Sequence, residues 1–180
     1  MVKSPLHIYV DGSSGRTGED LATSDTPAGW GFCVVEGDSG LGRGGGDVID
    51  ECSGQVITDP SQPDYLGAEV GSNNTAELTA IAHAARWVLT HPEGGGVVIR
   101  GDSQYALKIA TGEWRAKANQ DLAKSVKALW QEVVSIRGLR AEHVRAHRGH
   151  RWNERADHLA FRAMQGEVPL PLQFWKPGKR

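Results

Sequence analysis

The sequence predicts an α/β fold: a five-stranded mixed sheet, its first three strands antiparallel and the others parallel to the first, with helices on both faces. Three observations predict it. Short apolar or alternating runs mark five strands, helical periodicity marks segments between and after the later strands, and the strands come first in hairpin order and then in βα units. The 180 residues suit one domain, and 39% hydrophobic with 23% charged residues is enough for one core and excludes a disordered chain.

Leu6-His7-Ile8-Tyr9-Val10 is the first β run, and it stops at the turn-type cluster Asp11-Gly12-Ser13-Ser14-Gly15. Ala28 to Val35 alternates small and large residues as a second strand, and a third falls within 47–57 after a long hairpin connection. The 59–72 stretch is punctuated by Pro and Gly, and its 64–70 part is a further pairing candidate. From Asn74 the period changes, because Leu78, Ile81, Ala82, Ala85, Val88 and Leu89 share one helical face, which His91-Pro92 ends. Val97-Val98-Ile99 suits a strand buried on both faces, and Gly101-Asp102-Ser103 turns it into a helix reaching about Ala110. A long helix over 119–136, a strand over 139–146 and a last helix over 153–165 complete the order β-β-β-α-β-α-α-β-α. Residues 1–165 are expected to form the single folded domain and 166–180 a Pro-rich, basic C-terminal tail.

The net charge of −2 hides an asymmetry: residues 1–77 hold three Lys/Arg against thirteen Asp/Glu, and residues 78–180 seventeen against nine. Seven arginines between Arg137 and Arg162 offer a basic surface to a polyanion. Cys33 and Cys52 are too few and too far apart for a CxxC zinc site or a disulfide scaffold, and both are expected to be small buried apolar residues. No apolar stretch approaches the roughly 20 residues needed to cross a bilayer, and no secretory signal opens the sequence. A cytoplasmic monomer with no membrane partner is the expectation.

Asp11 and Asp102 both stand at predicted strand ends, where ligands bind in open α/β sheets. Neighbouring strands lie about 4.8 Å apart, so such carboxylates either share a proton or bind a hard cation, magnesium or manganese. Glu77, three residues after Asn74, also fits a capping box, and Asp157 alone fits a helix-surface carboxylate.

The joint pattern resembles the ribonuclease H family, type 1 branch. It consists of Asp11-Gly12-Ser13, Trp30-Gly31, Asn73-Asn74-Thr75-Ala76-Glu77-Leu78, Asp102-Ser103-Gln104-Tyr105 and the run from His147 through Asn153 to Asp157. The resemblance implies the ribonuclease H-like fold and an endonuclease that hydrolyses the RNA strand of RNA/DNA hybrids, leaving 5′-phosphate and 3′-hydroxyl ends. It implies two Mg2+ ions per site, with Mn2+ able to substitute. Carried onto these positions, Asp11 bridges the ions, Asp157 holds the one on the side of the attacking water, and Glu77 and Asp102 hold the one beside the leaving oxygen. His147 would assist proton transfer or product release. Gly12 and Ser13 would lie near RNA 2′-hydroxyls, Asn73 and Asn74 in the minor groove, Ser72 and Asn119 at a DNA phosphate, and Asn153 near the scissile phosphate. Gln104 and Trp114 complete the expected substrate contacts.

The sequence also departs from the family. Thr75 stands where many relatives carry arginine, and a long basic protrusion between the two middle helices is truncated to a stretch holding Trp114, Arg115, Lys117 and Lys124. Gly40-Leu41-Gly42-Arg43-Gly44-Gly45 matches GxGxxG, but with no helix after it the string lacks a helix N-terminus for a pyrophosphate. Phe174 and Trp175 are expected to dock the tail. The competing functions are a catalytically silent hybrid-binding module of a replication or retroelement complex, and a DNA-directed nuclease of the same fold.

Overall fold

The computed structural model describes residues 4–16, 21–145 and 150–180. Five strands, β1 (Leu6–Ser14), β2 (Ala28–Glu36), β3 (Asp47–Gln55), β4 (Val97–Gly101) and β5 (Leu139–His143), form one sheet in the order β3-β2-β1-β4-β5. β1 pairs antiparallel with β2, β2 antiparallel with β3, and β1, β4 and β5 run parallel, as the hairpin-then-βα order requires. The helices are α1 (Asn73–Leu89), α2 (Gln104–Thr111), α3 (Gln120–Ile136) and α4 (Arg151–Met164).

Strand alternation splits the core in two. Ile8, Val10, Phe32, Val34 and Ile99 face α1, α2 and α3, whose Leu78, Ile81, Leu107, Leu122, Val126 and Trp130 close the larger cluster. Tyr9, Cys33 and Val35 point the other way, onto Trp152, Ala156 and Leu159 of α4. Segment 166–180 adds Trp175 to this second cluster, with Leu170 and Leu172 packed against it, and Phe174 stays exposed. Trp175 thus docks as expected, and Phe174 does not.

Four local expectations are corrected. β1 does not stop before Asp11: it runs to Ser14, because Asp11 to Ser14 still pair with Gly31 to Ala28 of β2. No strand forms over 64–70. Cys52 is exposed on β3, an edge strand, whereas Cys33 is buried and its burial pushes the thiol pKa up. The arginine run is not all surface: Arg137 is buried and binds the carbonyls of His91 and Gly95, and buried Arg155 pairs with Glu51, while Arg140, Arg145 and Arg151 stay exposed. Arg148 lies outside the described residues.

Candidate active site

The crevice begins where two strands part. The parallel pairing of β1 with β4 ends at Val10 and Gly101, while β1 continues along β2. Asp11 and Asp102 are the next residues on each strand, so both lie where the sheet has opened. The N-terminal turns of α1 pack against this opening because residue 12 is glycine. Any Cβ there would collide with the backbone of Ala76 and Glu77. That close approach carries Glu77, 8% exposed, to Asp11, 4% exposed.

The start of α1 differs from the expected Asn74–Glu77 box. Ser72 is the N-cap: its hydroxyl accepts from the Thr75 N–H at 3.1 Å, and the Thr75 hydroxyl accepts from the Ser72 N–H at 2.9 Å. The reciprocal cap is therefore made by Ser72 and Thr75, and Glu77 turns into the crevice. Thr75, the departure from the family pattern, has this capping role.

Carboxylate oxygens of Asp11, Glu77 and Asp102 lie within 4.8 Å of one another. Among the described residues none of the three makes an ion pair. Burial pushes the Asp11 carboxyl well above the usual range, and the negative Glu77 and Asp102 push it further. Glu77 is raised well above its ordinary value by burial and then by Asp102. Asp102 is raised by burial, against which hydrogen bonds from Glu77 and Asn153 work. Two buried acids and a half-buried third that resist ionisation together form a site that a positive charge would relax.

Asp157 of α4 lines the same crevice without joining the trio. Its Oδ2 and Oδ1 accept from Nε and Nη2 of Arg180 at 3.0 and 2.9 Å. Asn153, one turn earlier and 3% exposed, faces the same space, and its Oδ1 has no hydrogen-bond partner among the described residues. A divalent cation fits this donor set, because hard carboxylate oxygens are its preferred ligands and its water shell would donate to a buried orphan acceptor.

The remaining predicted contacts separate into two groups. Gly12, Asn73 and Asn74 line the crevice with the acids. Ser72 is buried in the cap of α1, and the Ser13 hydroxyl reaches Met164 Sδ at 3.5 Å. Gln104 is exposed at the first position of α2. Trp114, 48% exposed, borders two grooves over the α2–α3 connection with Arg115, Lys117, Lys124 and Lys127. Asn119 caps α3 from the left-handed region, φ 55°, without a side-chain bond to the helix. His147 lies outside the described residues. Sequence reasoning missed Arg180, because nothing in a chain pattern signals a contact between positions 157 and 180.

The RNase H family model matches residues 3–165. A ribonuclease H of Albidiferax ferrireducens is 33% identical over 173 residues, covering 89% of this chain and 94% of that protein. One from Methylorubrum extorquens is 38% identical over 129 residues, 59% of this chain, a match that spans about half (53%) of that relative's length. The crystal structure of LC11-RNase H1 in complex with RNA/DNA hybrid superposes with a TM-score of 0.61 at 21% identity, covering 89% of this chain and 97% of that one. The open strand ends, the acid trio and the span of the match together make the chain a member of the ribonuclease H family, hydrolases that cut the RNA strand of RNA/DNA hybrids.

Proposed function

We propose that this chain hydrolyses the RNA strand of RNA/DNA hybrids with two Mg2+ ions, Mn2+ substituting, to leave 5′-phosphate and 3′-hydroxyl ends. The trio Asp11, Glu77 and Asp102 carries the proposal, because three crowded acids that make no ion pair among the described residues make sense as the holder of a cation. When bound, the ions supply a water nucleophile near neutral pH and compensate charge on the leaving 3′ oxygen. In this assignment Asp11 would serve both ions, Glu77 and Asp102 would hold the one that compensates charge on the leaving oxygen, and Asp157 would hold the one that supplies the water nucleophile.

The chain's own residues prepare the rest. Gly12 fixes the distance between β1 and α1, and Asn153, on the same crevice wall, favours the charged form of Asp102. Asn73 and Asn74 stand at the crevice wall, where the minor groove of a hybrid would lie. Trp114 with Arg115, Lys117, Lys124 and Lys127 offers a stacking face and cations to the DNA strand. His147, on the segment before α4, is assigned to proton transfer or product release.

Among the described residues no helix is long and apolar enough to cross a membrane, and we place the enzyme in the cytoplasm as a monomer. The test is cleavage of labelled RNA/DNA hybrid, double-stranded RNA and duplex DNA in magnesium, manganese or chelator. Metal-dependent loss of the RNA strand of the hybrid alone is expected. Binding without cleavage, or cleavage of duplex DNA, would replace the proposal with the silent-module or the DNA-directed reading.

A further inference from the structure

Asp157 is paired with a cation already built into the protein. Arg180 grips both carboxylate oxygens in a two-pronged arrangement, and its guanidinium lies 4.6 Å from the centre of the Phe161 ring, one turn further along α4. The segment that brings it there is fastened along α4 at successive points. The Arg155 guanidinium donates to the Leu170 carbonyl at 2.8 Å, and the Leu170 N–H donates to His158 Nε2 at 3.0 Å. With Nε2 accepting, Nδ1 of the neutral ring carries the proton, and it lies 3.2 Å from the Lys179 carbonyl. Trp175, 3% exposed, anchors the segment in the core and donates its indole N–H to that same carbonyl at 2.9 Å. Gly178, Lys179 and Arg180 consequently form one wall of the crevice that holds the acid trio.

We propose that Arg180 is a tethered counter-cation of the metal site: it occupies Asp157 in the metal-free protein and gives way when divalent cations bind. The inference rests on the assignment of Asp157 as a metal ligand. Both oxygens of Asp157 are engaged by the guanidinium, and an incoming divalent cation repels that group while competing for the same lone pairs. The exchange is feasible because solvent reaches the pair, the Arg180 side chain being 51% exposed and that of Asp157 19%, which screens its attraction. Meanwhile the anchors at Trp175 and His158 keep the released guanidinium near the crevice mouth.

Calorimetric titration of Mg2+ into metal-free protein tests this without any turnover. Arg180→Gln is expected to bind Mg2+ about two- to fivefold more tightly than the unmodified chain, the scale of one exposed ion pair. Arg180→Lys, which keeps the charge but loses the fork, should fall between the two. In an Asp157→Asn background the Arg180→Gln change should have no effect on affinity. Equal affinities for Arg180→Gln and the unmodified chain, with Asp157→Asn weakening both, would overturn the counter-cation role and leave Asp157 a ligand. Unchanged affinity in Asp157→Asn itself would remove the underlying ligand assignment and the inference with it. An independent check is the Nε–H resonance of Arg180, which should move on Mg2+ addition in the unmodified chain and stay still in Asp157→Asn.

Discussion

His7 and Asp11 sit four residues apart on one strand, in one row of alternating side chains, and their surroundings are electrostatic opposites. Around His7 every charge has a partner. The Arg100 guanidinium donates to His7 Nδ1 at 2.8 Å and to Glu142, and the Tyr9 hydroxyl donates to Asp38. Further along the same face Arg155, 1% exposed, is matched by Glu51 and the Leu170 carbonyl. Around Asp11 the balance is lost: among the described residues Asp11, Glu77 and Asp102 make no ion pair, and the guanidinium at the crevice wall, that of Arg180, is on Asp157. Burial alone therefore does not mark a functional acid. Burial without compensation does, since a matched network comes out near neutral for stability and an unmatched one lowers it until a cation arrives.

The sharpest contrast is catalytic. Asp102→Asn should reduce hybrid cleavage by more than about a hundredfold, since even outer-shell partners of a metal site are worth 10- to 100-fold. The folded state should persist, as read by circular dichroism. Glu142→Gln, at the matched end, should leave turnover near that of the unmodified chain.

Stability should separate the two regions by sign. Glu51→Gln leaves the buried Arg155 without its carboxylate and should lower the unfolding free energy by about 1–3 kcal/mol, allowing for the partial exposure of Glu51. Asp11→Asn removes one of three crowded charges and should raise it by about 0.5–2 kcal/mol in chelator. Denaturant titration of both variants in chelator checks the pair of signs.

A smaller effect is the pH dependence of the metal-free protein. The folded pKa values of Asp11, Glu77 and Asp102 lie above those of the unfolded chain, so the folded site binds more protons in between. The destabilisation is fully present above the folded values and is relieved as pH falls through them toward the ordinary carboxylate range. His83 has the opposite slope. Burial holds its pKa down at about 4 beneath the stacked Trp30 ring, so its contribution to stability is lost as pH falls from about 6.5 to about 4. Asp102→Asn should flatten the first trend and leave the second, as followed by melting temperature across pH in chelator. Weakest of all should be the salt-dependent hybrid affinity. The short α2–α3 connection predicts looser binding than in relatives with the full protrusion, and submicromolar affinity at physiological salt would contradict that.

The sequence made most of the fold legible, because strand alternation and helical period reflect which faces are buried. Asp11 and Asp102 could be proposed because each follows an apolar β run at a predicted strand end, whereas Glu77 fits a capping box by spacing and is assigned to the site through the family resemblance. The misreadings share a cause, which is that local composition competes with a distant partner. Asp11 to Ser14 has turn composition, yet Ala28 to Gly31 keep it extended as a strand. Asn74 and Glu77 are spaced as a capping box, yet Ser72 and Thr75 make the cap two residues earlier. Arg180 was invisible for a stronger reason, since its contact with Asp157 depends on how Trp175 and His158 fasten the intervening segment.

Anomalous diffraction from crystals soaked in Mn2+ tests the metal assignment most directly. A peak touching oxygens of Asp11, Glu77 and Asp102 is the predicted result, absent from Asp11→Asn crystals soaked alike. A map with no peak at the trio, from crystals whose protein cleaves hybrid in the same Mn2+ buffer, would contradict it.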